Sequence, residues 1–597
     1  ITTRLVGSEM CIRDRYMNGV VLLVFAIICF VAAYFIYSRW LEKKWGIDPK
    51  AVTPAVALED GDDYVPEPAF VVFSHQFSSI TGAGPVTGPI IAAMFGWLPA
   101  FLWILFGGIF FGAVHDFGAL YASVKNEGKS IGLIIEKYIG KVGKKLFLLF
   151  CWLFALLVIA AFGDIVATTF NGMTPDVPAA VNTANASAAS ISMLFILSAV
   201  LVGFFMKKVH LEGIAMHAFG IVVLLVTLAI GIMFPIFADK QTWLLIVFGY
   251  LFLASVMPIW LLMAPRDFLS TYMLLGMIIA AVLGLLVEAP MVELNAFNGF
   301  AVQDATGNVK YLFPILFITV ACGAVSGFHS LVSSGTSSKQ VSNEKHMRPI
   351  SYGAMMCECV LAVVALVVAG AVAQNGQLPT GTPFQIFSGS VAGFLTKFGL
   401  PLNIAQAFMT MCVSALALTS LDSVARIGRM SLQEFFYEEG VEQKGLTKLL
   451  TNKYVATVVT LVVGFVLALG GYNSVWPLFG SANQLLAAMV MIAVAVYMKT
   501  SKKSGVMFYI PMGIILAVTF TALGMSIYGL VVKLMNATQY LVVIPAVPKA
   551  GQFVFLSDGL QLVFAFLLLG LGLMVATKCL RSLFNVEVKS SEEVIAD

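Results

Sequence analysis

With 597 residues, 59% of them apolar and 11% charged, at a mean hydropathy of +0.93, the chain lacks the charge to cover a soluble surface. Soluble domains average about 25% charged residues, and single cores stop growing near roughly 250–300 residues, so lipid is the main solvent. A net charge of +3 with no basic run interleaved with aromatics excludes a nucleic-acid binder, and eight cysteines scattered mostly in apolar runs (Cys29, Cys151, Cys322, Cys412) give neither a disulfide frame nor a metal site.

Residues 1–16 read as a non-native leader, and Met17 opens the first apolar run. Membrane-length runs predict spans near 18–37, 69–95, 97–121, 144–162, 189–206, 209–233, 243–263, 268–288, 312–332, 350–374, 401–420, 453–470, 475–498, 506–533 and 558–580. The predicted fold class is all-α: a polytopic membrane protein of about fifteen transmembrane helices. Residues 17–68 give the first helix and a cytoplasmic loop, 69–420 a ten-helix core, 421–452 an amphipathic cytoplasmic segment, 453–580 peripheral helices and 581–597 a disordered tail. If the first span starts outside, 27 of the 35 Lys and Arg fall on the cytoplasmic side. That bias puts the N-terminus outside and the C-terminus inside a bacterial plasma membrane.

The second span is interrupted at His75-Gln-Phe-Ser-Ser-Ile-Thr-Gly-Ala-Gly-Pro85. Gly82 and Gly84 loosen the helix, and Pro85 removes a donor and restarts it. A half-helix starting there points free amides and a positive dipole end at an anion. Irregular backbone at membrane depth survives only against protein or a water-filled cavity. The expected substrate contacts are therefore His75, Gln76, Ser78, Ser79, Thr81, Gly82 and Gly84 around a wet break. A weaker interruption, Ala254-Ser-Val-Met-Pro258, adds Ser255 and Met257 five spans later, with Pro85 and Pro258 as structural kinks. Two breaks so spaced fit a five-plus-five inverted-repeat, leucine-transporter-like core over 69–420.

The ninth span ends in a hydroxyl-rich stretch whose Ser330, Ser333 and Ser334 either help hold a sodium ion or satisfy their own helix. His115 and Asp116 are candidates for proton coupling, although Asp116 has Lys125 and Lys129 as alternative partners. Glu358 lies inside span ten and Asp164 closes span four. Arg266 and Asp267 read as a headgroup-level cap of span eight, and Asp422 with Arg426 as a local pair with a gating role. Asn483 and Gln484 hydrogen-bond substrate or tie helices. No resident metal or cofactor is expected, only H+ or Na+ as coupling ion. His-Glu-x-x-His and Gly-x-Ser-x-Gly motifs are absent from the sequence, so an enzyme is not expected.

Several blocks share one resemblance: Asp60-Gly-Asp-Asp-Tyr-Val-Pro66, Phe73 to Pro85, Gly112-Ala-Val-His-Asp-Phe117, Ala264-Pro-Arg-Asp-Phe-Leu-Ser270, Gly323 to Thr336, Leu418 to Arg426 and Trp476 to Leu485. In that order they resemble the carbon starvation protein A family of bacterial peptide and pyruvate carriers, placed near the amino acid–polyamine–organocation superfamily. The family commonly carries Gly-His-His-Phe where this chain has Ser74-His75-Gln76-Phe77. The resemblance implies proton- or sodium-coupled uptake of peptides or pyruvate during carbon starvation. A carrier of other small carboxylates or amino acids and a nutrient-sensing receptor are the alternatives. The expected partners are a small-molecule substrate and the bilayer, with no nucleic acid.

Overall fold

The computed structural model describes residues 17–585 except 62–63, 176, 210–212, 259–260, 304–308, 375, 380, 438–442, 543–548 and 550. The expected leader and most of the expected tail lie outside the described residues. The chain is mostly helical, at 79%, and among the described residues eleven helices are long and apolar enough to cross a membrane.

The helices run α1 Gly19–Trp45, α2 Ala69–Ile80, α3 Gly84–Ala92, α4 Trp97–Val124, α5 Ile131–Ile139, α6 Lys141–Phe170 and α7 Ala179–Val209. Next come α8 Gly213–Met233, α9 Lys240–Val256, α10 Met263–Glu288, α11 Leu312–Thr319, α12 Phe328–Gly335, α13 Ala354–Val372 and α14 Pro383–Leu395. The last are α15 Leu402–Phe436, α16 Lys453–Ala468, α17 Tyr472–Thr500, α18 Val506–Met535 and α19 Leu560–Asn585. Three two-stranded ribbons, such as Met17–Asn18 against Met291–Val292, fasten loops at the helix ends.

Local chemistry sets many of these boundaries. Asp239 caps α9 through the Gln241 amide, Asn452 caps α16, and Thr382 with Gln385 forms a reciprocal capping box that starts α14 at Pro383. A run of one broken pair, a long helix, a short helix, a long helix, a helix of 16–17 residues and a long helix occurs twice. The first set is α2/α3, α4, α5, α6, α9 and α10; the second is α11/α12, α13, α14, α15, α16 and α17. The α7–α8 hairpin is inserted into the first. At the centre α6 packs along α15; α6 also meets α16 and α17, and α15 meets α9 and α10.

Two sequence expectations change here. Residues 421–436 are no separate amphipathic segment but nearly half of the 35-residue α15. Buried neighbours on α6, α9 and α16 cover Asp422, Ser423 and Gly428, so apparent amphipathicity reflects a polar interior rather than a water surface. The Ser255–Pro258 stretch is the end of α9, where Met257 turns extended, and no helix resumes directly after it. The second interruption is instead Val320–Gly327, between α11 and α12.

Candidate functional site

The first break sits where the sequence placed it. α2 ends at Ile80, Thr81 adopts φ −75° and ψ 79°, and the Gly82 amide folds back onto the Ile80 carbonyl at 2.8 Å. α3 restarts with Pro85 in its first turn, where a missing donor costs nothing. Every residue from Ser74 to Ile90 is buried. The break itself is packed rather than wet. A Cβ on Gly82 would lie 2.7 Å from Ser420 Oγ and 2.8 Å from Phe162, and one on Gly84 would collide with Cys322. Ser79 is engaged by α15, its carbonyl accepting from Ser420 Oγ at 3.0 Å and its hydroxyl from Ser423 Oγ at 3.3 Å. By contrast the hydroxyls of Ser74, Ser78, Thr81 and Thr87 are buried with no hydrogen-bond partner among the described residues, an arrangement a protein keeps only for a reason such as a ligand or water.

The second break is held by α17. Asn483 accepts the Phe328 amide through Oδ1 at 3.0 Å, its carbonyl accepts the Gly327 amide at 3.0 Å, and its side-chain amide donates to Ser326 Oγ at 3.0 Å. Gly327 allows this approach, because a Cβ there would run into the Ala487 amide. Gln484 donates to the Phe317 carbonyl at 2.6 Å. Both side chains therefore tie α17 to the broken pair. Gln76 bridges the two breaks: Nε2 donates to Ser333 Oγ at 2.9 Å, and Oε1 accepts from Ser337 at 2.7 Å. Ser330, Ser333 and Ser334 each donate to a carbonyl three or four residues back, at 2.6–2.8 Å.

Two buried ionic clusters flank these breaks. In the first, His75 Nδ1 lies 2.8 Å from Asp267 Oδ2, and Arg266 reaches Asp267 Oδ1 at 2.9 Å. Arg266 also donates to Tyr250 at 3.0 Å and to the Thr419 carbonyl at 3.3 Å, and pairs with Asp422, which accepts from Tyr250. The expectation of a headgroup-level cap is thus overturned. Arg266 is 2% exposed and Asp267 fully buried, because α10 starts at Met263 and carries both inside the bundle. Asp422 takes Arg266 as its partner, while Arg426, one turn on, donates to the Ala254 and Met257 carbonyls at the end of α9. Ser255 packs there too, 3.3 Å from Thr457. One guanidinium faces two carboxylates, and His75 lies against one of them, Asp267.

In the second cluster Asp116 sits between two histidines, with His115 Nδ1 on Oδ1 and His329 Nδ1 on Oδ2, both at 2.8 Å. Lys125 and Lys129 pair elsewhere, with Glu344 and Glu127. His329 Nε2 is 3.3 Å from Glu358 Oε2, close but not aligned for a hydrogen bond, and both Glu358 oxygens lack a hydrogen-bond partner among the described residues. All four side chains are fully buried. They join α4, α12 and α13, and among the described residues no Lys or Arg pairs with them. No group of three or more ligands suited to a metal ion occurs among the described residues. Elsewhere Asp164 pairs with Lys240 at 2.7 Å and accepts the Tyr472 amide at 3.0 Å.

A cavity of about 100 Å³ lies against His75 of α2 and opens toward the side that carries the α5 start and the α15 end. His75, Ser334, Thr336, Ser423, Arg426 and Glu434 contribute its polar wall. His75 Nε2 has no partner among the described residues. Sequence reasoning had assigned no role to His329, Glu358 or Tyr250. Glu358 was visible as a lone carboxylate in an apolar run, and His329 stood beside the serines that drew attention. Tyr250 gave no signal.

These features define a polytopic membrane protein with two interrupted helices and buried ionisable clusters beside them. The family profile described as Carbon starvation protein CstA matches residues 18–378 and 371–522, and the chain belongs to that family. The Peptide transporter CstA of Escherichia coli K12 is 31% identical over 82% of this chain and 78% of its own length. The Pyruvate/proton symporter BtsT of the same organism is 29% identical over 87% and 83%. Among solved structures, a manganese transporter of Eremococcus coleocola aligns over 88% of this chain and 99% of its own, at 10% identity and a TM-score of 0.47.

Proposed function

We propose that the chain is a proton-coupled secondary transporter that takes up peptides or pyruvate in carbon starvation. The observation that carries this reading is the Asp116–His329–Glu358 cluster, a buried set of titratable groups spanning α4, α12 and α13. Such a set exchanges protons whenever water reaches it, and one of its elements is the half-helix α12, a short unit separate in the backbone from the other two. Ser330, Ser333 and Ser334 each donate to a carbonyl of their own chain segment. The names of the relatives supply the substrates and agree with the coupling.

The substrate contacts in this reading are His75, Ser78, Ser79, Thr81 and the backbone at Gly82 and Gly84, reached through the cavity on the His75 side. Gln76 braces the two broken helices. Ser255 and Met257 brace α9, and Asn483 and Gln484 hold the second break. The repeated order of elements is what an inverted five-plus-five repeat of the amino acid–polyamine–organocation type would give, with its halves at 69–288 and 312–500. The eleven long helices, the two broken pairs and the short α9 and α16 then make fifteen crossings. Lys and Arg put the cavity mouth and the C-terminus in the cytoplasm of a bacterial plasma membrane.

The test is uptake of radiolabelled pyruvate or dipeptide into right-side-out vesicles under an imposed pH or sodium gradient. Glu358→Gln should abolish pH-driven accumulation yet permit substrate exchange at equal concentrations. Full accumulation by this variant, or drive by sodium alone, refutes the proton reading. Competition among pyruvate, dipeptides and amino acids identifies the substrate.

A further inference from the structure

On the outer flank of the bundle, α1 and α13 pack together at the Gly19–Val367 end and part toward the other. Between them lies an apolar slot of about 280 Å³, lined by Phe30, Tyr34, Phe73, Gly353, Met356 and Val360. Both walls are widened π-helical turns, Ala33–Tyr37 in α1 and Arg348–Gly353 leading into α13. An extra residue per turn moves side chains out of register with the neighbouring helix and opens a gap. Gly353 keeps the floor low: a Cβ there would already touch the Tyr34 ring, at 3.4 Å.

At one end the slot runs, past Pro349, into a second hollow of about 450 Å³, lined by Glu42, Lys43, Lys345, His346 and Arg348. Three cations there face one carboxylate. Arg348 marks the junction, its guanidinium 5.0 Å over the Tyr34 ring and 3.3 Å from Glu42 Oε2. Its Nε and Nη1 are buried with no hydrogen-bond partner among the described residues. A guanidinium with an unpartnered Nε, and with only one carboxylate near its Nη1, beside two exposed lysines suits an anion with several oxygens, such as a phosphate. A dry slot continuous with that anion site, at the end of a membrane helix, adds an apolar tail to the ligand's description.

We propose that this composite pocket is a site for one anionic phospholipid of the leaflet that Lys43 and Lys345 face. Its phosphate would sit among Lys43, Lys345 and Arg348, and one acyl chain would lie in the slot between α1 and α13. Basic pockets between membrane helices recognise such headgroups. The site is separate from the transport pathway, and the inference stands whichever substrate or coupling ion the carrier uses. It also touches the machinery. Met356 and Val360 lie on either side of Glu358 in α13, and Phe73 precedes His75 in α2, so an occupied slot braces both elements from outside.

The full chain, purified in mild detergent, is titrated with phosphatidylglycerol and with phosphatidylcholine of the same acyl chains and read by native mass spectrometry. One phosphatidylglycerol should survive activation that strips phosphatidylcholine. Two variants separate head from tail. Lys43→Gln with Lys345→Gln should weaken retention ~30-fold, at about one unit of membrane-surface attraction per cation. Gly353→Leu, which fills the slot and leaves every charge, should lose it as well. Equal retention of both lipids by the unmodified chain overturns the proposal before any variant is made. Retention by Gly353→Leu at the unmodified level overturns the tail slot. A shift of that variant from dimer to monomer, with lipid retention unchanged, assigns the groove to a second copy of the chain and also overturns it.

Discussion

Arg266→Met offers a direct test of how the first ionic cluster is held. The guanidinium is 2% exposed and serves Asp267, Asp422, Tyr250 and the Thr419 carbonyl at once. Methionine fills much of the same volume, so little of the effect is lost packing. What remains is two carboxylates with one histidine against Asp267 alone, and breaking a buried pair by removing one partner costs about 3–5 kcal/mol. Asp422→Asn made in the same chain removes the surplus charge, keeps an acceptor for Tyr250, and leaves His75 opposite Asp267. The double variant should therefore recover about half the loss or more, a coupling of roughly 2 kcal/mol between residues in one network. The assay is the temperature at which the solubilised chain loses its monodisperse peak. The expected order is the unmodified chain first, then the double variant, then Arg266→Met. If the double variant melts at or below Arg266→Met, charge imbalance is not what the arginine relieves. Arg266→Lys should fall between, because a point charge cannot serve four acceptors on three elements.

Other expectations follow from single contacts. Gly84→Ala should cripple uptake and lower stability, because its Cβ meets the Cβ and Sγ of Cys322, and Cys322→Gly made with it, which removes both atoms, should restore both. Gly327→Ala should resist any such rescue, since its obstacle is the Ala487 backbone. Asn483→Leu strands the buried Phe328 amide, a loss of about 1–3 kcal/mol read as a lower melting temperature. Glu67, in the loop before α2, has its carboxyl pushed up by burial. The folded state holds that proton more tightly than the unfolded chain, so its contribution is present at low pH and is lost as pH rises through the raised value. Glu67→Gln should therefore raise the melting temperature at about pH 8 and leave it nearly unchanged at about pH 4; a uniform shift at both would refute the assignment.

The sequence located a helix or a broken pair for each of its predicted spans, because apolar run length is a strong local signal. The break at Thr81–Gly84 was equally legible, since glycine and proline act through the backbone of their own segment. The second break was harder. Val320–Gly327 contains no proline and reads as an ordinary apolar run; what opens it is Asn483, more than 150 residues away, offering its own hydrogen bonds to the backbone. Ser255–Pro258 misled for the converse reason, as a proline after a helix end looks like one within a helix. Arg266 and Asp267 were misplaced because charge near a span boundary ordinarily means headgroups, and only the tertiary partners on α9 and α15 reveal a buried network. Asp116 was found as a lone intramembrane carboxylate. His329 and Glu358 became its companions only when α12 and α13 were brought alongside.

The lengths of the helices divide the protein mechanically. At 1.5 Å per residue, α6 and α15, of 30 and 35 residues, are about 45 and 52 Å long against a hydrocarbon layer of about 30 Å. They overshoot the membrane and brace one another along its depth, like paired masts stepped through a deck. The half-helices α3, α11 and α12, of nine, eight and eight residues, reach about 12–14 Å and cannot span even half of the bilayer with its headgroups. Thickening or thinning the bilayer will tilt the masts as one body, and the short spars hung between them will follow.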